Sequence, residues 1–174
     1  MDNTKLKEVK LKEVEIYADG ATRKNPGKSG WGTILLYYSN GKEYRREIKG
    51  GVRKSTNNRM ELRAIISGLN LLKEPCEVTV YTDSQYVTNP FNLGWLKRWE
   101  EKNWEDVKNL DLWQELLKHC QIHTVRFVWV KGHAGNLNQE RADYLANLGL
   151  MEKEPIIDLV YEQVIAQENL KLSA

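Results

Sequence analysis

Residues 13–20, EVEIYADG, and residues 77–84, EVTVYTDS, share the pattern E-V-x-[IV]-Y-x-D-[GS]. Each copy has the alternation of a β-strand, and each sets an aspartate, Asp19 or Asp83, at the carboxyl end of that strand. If the two strands are parallel neighbours, about 4.8 Å apart, their carboxylates meet at one edge of the sheet. The alternative interpretation is that each aspartate only caps the turn or helix that follows it.

The rest of the chain alternates strand and helix patterns. β-Branched and aromatic runs predict strands at 31–38, 43–48 and 124–130, with a turn at Asn40-Gly41 and a turn-rich loop at 21–30. Apolar residues at helical spacing predict helices at 57–72, 94–103, 110–119 and 137–150, and a short helical stretch at 84–87 that Pro90 interrupts. This order predicts an α/β protein with a mixed sheet.

The composition is that of one soluble domain, with 174 residues, 41% of them hydrophobic and 29% charged. No stretch approaches the ~20 apolar residues of a membrane span, and the start, MDNTKLKEVK, lacks the apolar run of a secretory signal, so we expect a cytoplasmic protein without membrane association. Cys76 and Cys120 have no partners at metal-ligand spacing, which argues against a zinc site or a disulfide framework. The net charge of +2 does not by itself indicate a nucleic-acid partner.

Two further acids occupy unexpected helix positions. Glu61 extends the buried stripe of its helix, and Asp143 shares the inward side of the last main helix with Ala146 and Leu150. For Glu61, an interaction with the helix dipole is an alternative explanation. Neighbouring carboxylates repel each other unless a cation screens them, and Mg²⁺ prefers carboxylate ligands. These acids therefore favour a divalent metal site.

Four blocks of sequence now form a recognisable set. They are YADGA at 17–21, TNNRMEL at 56–62, YTDSQYV at 81–87, and WVKGHAG at 129–135 leading to RAD at 141–143. Their order and wording closely resemble type 1 ribonuclease H over about residues 14–148. The resemblance implies a five-stranded mixed sheet, three strands antiparallel and two parallel, with helices on both faces.

The same resemblance implies a chemistry. It implies cleavage of the RNA strand of an RNA/DNA hybrid with two Mg²⁺ ions, for which Mn²⁺ is a possible substitute, and products with 5′-phosphate and 3′-hydroxyl ends. The metal-binding acids it implies are Asp19, Glu61, Asp83 and Asp143. It also makes His133 a catalytic residue near the metals, although a histidine in such a loop is often only solvated.

Substrate contacts are likewise implied by the resemblance. Contacts with the hybrid are expected from Thr22, Asn25, Asn57, Asn58 and Gln85, and a phosphate pocket from Asn25 and Thr56 near Arg59. Turn formation and helix capping are the alternative roles of these asparagines and threonines. Lys97 and Arg98 lie in the segment that is a basic handle in some bacterial relatives. Here residues 95–109 carry no net charge, so we expect weaker binding through it.

We assign residues 1–150 to the catalytic domain and 151–174 to a C-terminal extension. Apolar residues from Ile157 to Ile165 have helical spacing, which favours a helix docked on the domain of a monomer over one docked on another chain. Two other functions remain open. One is DNA strand processing of the integrase and transposase kind, and the other is an inactive module that only binds hybrids.

Overall fold

The computed structural model describes residues 10–174, and its centre is a single mixed sheet. The strands are β1 (Lys12–Thr22), β2 (Gly27–Ser39), β3 (Lys42–Ser55), β4 (Cys76–Thr82) and β5 (Thr124–Trp129). Their spatial order is β3-β2-β1-β4-β5, with β1, β2 and β3 antiparallel and β4 and β5 parallel to β1. The predicted five-stranded mixed sheet is confirmed.

Six helices surround this sheet in the described part of the chain. They are α1 (Asn57–Leu69), α2 (Gln85–Asn92), α3 (Trp95–Glu101), α4 (Leu110–Ile122), α5 (Leu137–Gly149) and α6 (Leu159–Leu172). The apolar core on one face includes buried residues of α1, α2 and α4. A smaller cluster on the other face contains Ala142 and Leu145 of α5. Helices therefore cover both faces, as predicted.

The two copies of the repeated pattern lie side by side. β1 and β4 pair in parallel so that Val14 faces Val78 and Tyr17 faces Tyr81. The two tyrosine rings stack with centroids 4.6 Å apart. Because the register matches the two copies residue for residue, Asp19 of β1 and Asp83, the residue after β4, lie at the same end of this strand pair.

Helix α5 approaches the sheet closely over β2. A Cβ atom added to Gly32 would lie 2.5 Å from both Ala142 O and Ala146 N of α5. Only a residue without a side chain allows this approach, because real Cβ atoms do not come this close to backbone. Gly32 therefore sets the distance between the sheet and the helix that carries Asp143.

Some element boundaries differ from the predictions. The expected loop at 21–30 is shorter, because Thr22 pairs with Ser29 and the strands continue to that point. The hydroxyls of these two residues lie 3.0 Å apart. Pro90 does not end its helix but lies inside α2. Only Phe91 and Asn92 follow it in the helix, and Leu93 N still donates to Asn89 O at 2.8 Å, so the short final turn forms without the missing N–H of the proline.

The C-terminal segment packs on the outer strand β3. Ile156 forms a parallel bridge with Val52, in which Arg53 N donates to Ile156 O at 2.8 Å and Ile156 N donates to Gly51 O at 3.0 Å. Tyr161 of α6 is buried. The division into a domain and an extension remains a prediction.

Between residues 10 and 174, the structure contains no helix that is both long and apolar enough to cross a bilayer. Residues 1–9, from which the absence of a secretory signal is inferred, lie outside the described residues. The cytoplasmic location stays a prediction.

Candidate active site

Three acidic side chains from three separate elements converge at one edge of the sheet. Asp19 lies near the end of β1, Glu61 lies in α1, and Asp83 follows β4 directly. One carboxylate oxygen of each lies within 4.8 Å of the others. Asp19 and Glu61 are 7% and 3% exposed. Among residues 10–174, none of the three forms an ion pair with a lysine or arginine.

Gly20 brings two of these acids together. A Cβ atom at Gly20 would lie 2.7 Å from Met60 Cβ and 2.9 Å from Glu61 N. The absence of a side chain therefore lets the first turns of α1 pack directly on the end of β1. This contact places Glu61 beside Asp19.

The third acid, Asp83, is held in place by a residue of the neighbouring strand β5. Trp129, at the end of β5, donates its indole N–H to the backbone oxygen of Asp83 at 2.9 Å. This bond fixes the backbone at the point where the chain leaves β4. One oxygen of the Asp83 carboxylate lies within 4.8 Å of a carboxylate oxygen of each of the other two acids.

The electrostatics of the cluster favour a bound proton or cation. Burial, followed by the charges of Asp83 and Asp143, raises the pKa of Asp19 to about 7. Burial and the charge of Asp19 raise the pKa of Glu61 well above its ordinary value, and burial raises the pKa of Asp83. Because all three pKa values are raised, the three carboxyl groups do not readily ionise together unless a cation binds among them.

The donor set fits a hard divalent cation. The converging atoms are all carboxylate oxygens, which Mg²⁺ and related ions prefer. Glu61 Oε2 is buried and has no hydrogen-bond partner among residues 10–174, so one strong acceptor is left for a ligand. Asp19, Glu61 and Asp83 are therefore the residues that would hold a metal.

Asp143 and His133 lie beside this cluster rather than within it. Both line the same small cavity as Asp19 and Asp83. The Asp143 carboxylate is not part of the group of mutually close ligand atoms, and its Oδ1 accepts a hydrogen bond from Asn147 Nδ2 at 3.1 Å. His133 is exposed and has a positive φ of 52°. Three of the four predicted acids thus converge, and the fourth borders the cavity.

Two residues in the same cavity are missing from the sequence-based predictions. Gln139 and Glu140, in the first turn of α5, line it with the acids. Gln139 is 3% exposed and donates Nε2–H to Ala18 O at 3.1 Å. Its Oε1 is buried and has no hydrogen-bond partner in the described part of the chain. Gln139 stands four residues before Asp143, the spacing of one helical turn, and this signal could have indicated it.

The predicted substrate residues lie on the loops and helix ends around this edge. Thr56 is the N-cap of α1 and accepts from Arg59 N at 3.3 Å. Asn57 N donates to Asn25 Oδ1 at 3.2 Å, and Asn57 Nδ2 donates to Glu61 Oε1 at 3.4 Å. Capping and substrate contact are compatible for these residues, because each keeps further donors or acceptors.

The remaining predicted contacts differ in their exposure to solvent. Asn58 and Gln85 are exposed at the starts of α1 and α2, and Thr22 is half-buried at the end of β1. Lys97 and Arg98 are exposed on α3. Trp99 of the same helix packs edge-on against Trp113 at 5.2 Å, which agrees with a packing role for this tryptophan.

The environment of Arg59 differs from that of an arginine whose side chain is free to bind a phosphate. It borders a cleft of about 660 Å³ that Asn25, Thr56 and Asn58 also line. However, it is 2% exposed. Its guanidinium N–H groups are directed at Asp111, Asp158 and Asn109. This arrangement leaves Arg59 without a free donor for a phosphate.

The sequence comparison identifies the family that has this arrangement. The RNase H family model matches residues 11–151. The chain belongs to the RNase H family. A relative from Caldicellulosiruptor saccharolyticus, named Ribonuclease H, is 49% identical over 147 residues, which are 82% of this chain and 99% of the relative.

Solved structures of RNase H proteins share the fold. LC9-RNase H1, described as a type 1 RNase H with the type 2 active-site motif, superposes with a TM-score of 0.76 at 27% identity, over 85% of this chain and 76% of that one. LC11-RNase H1, solved in complex with an RNA/DNA hybrid, superposes with a TM-score of 0.54 at 24% identity, over 79% and 96% of the two chains.

Replacing Asp19 with asparagine should stabilise the metal-free protein at alkaline pH. The pKa of Asp19 is about 7 in the folded state against an ordinary value of 3.8. The folded state therefore binds more protons than the unfolded state between these values, and stability falls as pH rises through this window. At pH 8 with chelator, we expect Asp19→Asn to raise the free energy of unfolding by about 1–3 kcal/mol.

Denaturant unfolding at pH 4 and pH 8 checks this expectation. The gain should shrink towards pH 4, where the wild-type carboxyl is protonated in the folded state. Glu100→Gln, an exposed acid of α3, is the matched control and should show no such gain. An Asp19→Asn variant with the wild-type pH dependence of stability would contradict the electrostatic account.

Proposed function

We propose that this protein is a metal-dependent endoribonuclease that hydrolyses the RNA strand of RNA/DNA hybrids to products with 5′-phosphate and 3′-hydroxyl ends. The observation that carries the proposal is the convergence of Asp19, Glu61 and Asp83 within 4.8 Å without a cationic partner among the described residues. Like charges gathered in this way are costly unless the site binds cations in its working state.

The residues of the cluster would hold two Mg²⁺ ions when the substrate is bound. Bound divalent ions supply an activated water nucleophile and stabilise charge on the leaving 3′-oxygen. Asp19 of β1, Glu61 of α1 and Asp83, which follows β4, would supply carboxylate ligands. We assign Asp143, which lines the same cavity, as the fourth ligand.

Residues at the cavity rim would handle protons and hold the site together. His133 is exposed beside the acids, so its imidazole can exchange a proton with solvent and with a leaving group. Gln139 joins α5 to β1 through its bond to Ala18 O, directly before Asp19. This bond holds the helix that carries Asp143 against the strand that carries Asp19.

Substrate selection would rest on the 2′-hydroxyl. Only this group distinguishes RNA from DNA at a given position, and amide and hydroxyl side chains can both donate to it and accept from it. The side chains proposed for these contacts with the hybrid are Thr22, Asn25, Thr56, Asn57, Asn58 and Gln85, with Lys97 and Arg98 as phosphate contacts. Backbone contacts carry little base information, so we expect cleavage to be largely indifferent to sequence.

One chain contributes every residue assigned to this site, so we propose the monomer as the active unit. The relatives named Ribonuclease H support the hydrolytic activity, because the family model spans residues 11–151, the range that contains every residue assigned to the site, and one relative is 49% identical over 147 residues. The LC11-RNase H1 complex supports a hybrid as substrate.

A single cleavage assay tests the proposal. We would incubate the purified protein with a labelled RNA/DNA hybrid, duplex DNA or duplex RNA, each with Mg²⁺, Mn²⁺ or chelator. We expect cleavage of the RNA strand of the hybrid alone, dependent on the metal, with RNA fragments that a 5′-phosphate-dependent exonuclease degrades. Cleavage of duplex DNA would favour strand processing of the integrase kind, and binding without cleavage would favour an inactive module. Either result would overturn the proposal.

A further inference from the structure

One buried carboxylate joins the C-terminal segment to the start of α1. Asp158 directly precedes α6, is 3% exposed, and lies beyond residues 11–151 that match the family. It accepts from Arg59 Nε at 2.7 Å and Nη2 at 2.9 Å, and from Ser55 Oγ at 3.0 Å. Tyr161 N also donates to it at 3.2 Å, so the same side chain caps α6.

The guanidinium of Arg59 links this segment to a third element. Asp111, in the first turn of α4, accepts from Nη1 at 2.9 Å and from Nη2 at 2.7 Å. Burial disfavours the charge of Arg59, yet the hydrogen bonds to Asp111 and Asp158 hold its pKa above the ordinary value. Burial acts on Asp158 too, but the bonds from Arg59 keep its pKa below the usual range. Each charge is therefore tolerated because its partners are present.

Arg59 directly follows, in the sequence, the residues at the start of α1 that are proposed to contact the hybrid. Its backbone N–H is the donor that Thr56 caps, and Asn57 and Asn58 lie between these two positions. The side chain of Arg59 thus anchors one end of a short backbone segment whose other end is the N-cap. Without this anchor, the segment would be held by its local bonds, which are the N-cap bond, the bond from Met60 N to Thr56 O at 3.1 Å and the bond from Asn57 N to Asn25 Oδ1 at 3.2 Å.

We infer that Asp158 is a positioning residue for hybrid binding, which acts through Arg59 to orient Thr56, Asn57 and Asn58. This inference rests on the proposed function and adds the C-terminal segment to the substrate-binding machinery. Glu61 lies further into α1, next to the fully buried Leu62, so its position depends less on Asp158. The expected effect is therefore on substrate affinity more than on the chemical step.

The test measures KM and kcat separately for cleavage of a labelled hybrid in Mg²⁺, well below the melting temperature. We expect Asp158→Asn to raise KM about 5- to 10-fold, because substrate binding would then have to order the start of α1, and to change kcat by less than about 2-fold. A role in stability alone would lower the melting temperature and the active fraction, hence the apparent kcat, and would leave KM unchanged.

Glu162→Gln is the matched control. Glu162 is on the same helix and pairs with Arg53 of β3, so its loss also weakens the docking of α6 without touching Arg59. KM should stay at the wild-type value in this variant. A rise equal to that of Asp158→Asn would overturn the inference, since it would show that general loosening of α6 is sufficient.

If Asp158→Asn does not fold, Asp111→Asn decides the question. It removes the other carboxylate from the same guanidinium, at a side chain that is 32% exposed. A raised KM supports the inference, and an unchanged KM in whichever variant folds overturns it. A wild-type protein that leaves the hybrid intact overturns the proposed function, and the inference with it, so the two failures are distinguishable.

Discussion

Asp83→Asn is expected to lower the turnover of an RNA/DNA hybrid by at least ~10³-fold. The substitution keeps the size of the side chain but removes one negative charge and one strong ligand from a cluster in which three carboxylate oxygens lie within 4.8 Å. The fold should survive, because burial raises the pKa of Asp83 and a neutral amide relieves that strain. Single-turnover cleavage assays in Mg²⁺ measure the loss.

Two further measurements make this result specific to the metal site. Titration calorimetry with Mg²⁺ should show weaker binding to Asp83→Asn than to the wild type. Glu100→Gln removes an exposed acid from α3 and should retain wild-type turnover. Near-normal cleavage by Asp83→Asn would contradict the assignment of the site.

Gly20→Ala is expected to lower turnover by about 10²-fold, although Gly20 carries no functional group. The added methyl would lie 2.7 Å from Met60 Cβ and 2.9 Å from Glu61 N, so α1 must move away from β1. That movement displaces Glu61 from Asp19. Overpacking of this kind should also destabilise the protein by about 1–3 kcal/mol.

The repeated sequence pattern offers a control for this variant. Ser84 occupies the same place after Asp83 as Gly20 does after Asp19, and its side chain makes no capping hydrogen bond to α2. Ser84→Ala should therefore leave turnover and stability close to those of the wild type. Kinetics and thermal melts of the two variants should differ clearly, and a Gly20→Ala protein with full activity would remove the argument from close packing.

The partners of the Arg59 side chain are a feature that the sequence does not predict. The motif TNNRMEL places an arginine among substrate residues, and a surface phosphate contact is the natural expectation. The structure instead directs the donors of Arg59 to Asp111 and Asp158, which stand 52 and 99 residues further along the chain. Nothing local in the sequence indicates this pairing, because both acids are ordinary helix-start residues.

The sequence predicts the acids of the site and, through the repeated pattern, the strand ends that carry two of them. In the repeated pattern of β1 and β4, side chains alternate between the two faces of the strand with a period of two residues. When the two strands are parallel, this period determines which residues lie side by side at the end of the pair. Asp19 and Asp83 were therefore predictable as a pair if the two strands are parallel neighbours, and Glu61 was predictable separately, from its position in the buried stripe of its helix. That Asp143 stands beside the group rather than within it, and that Asp158 holds Arg59, became clear only from the folded chain. These outcomes depend on the distances at which helices pack against the sheet, and residue spacing along the chain does not encode those distances.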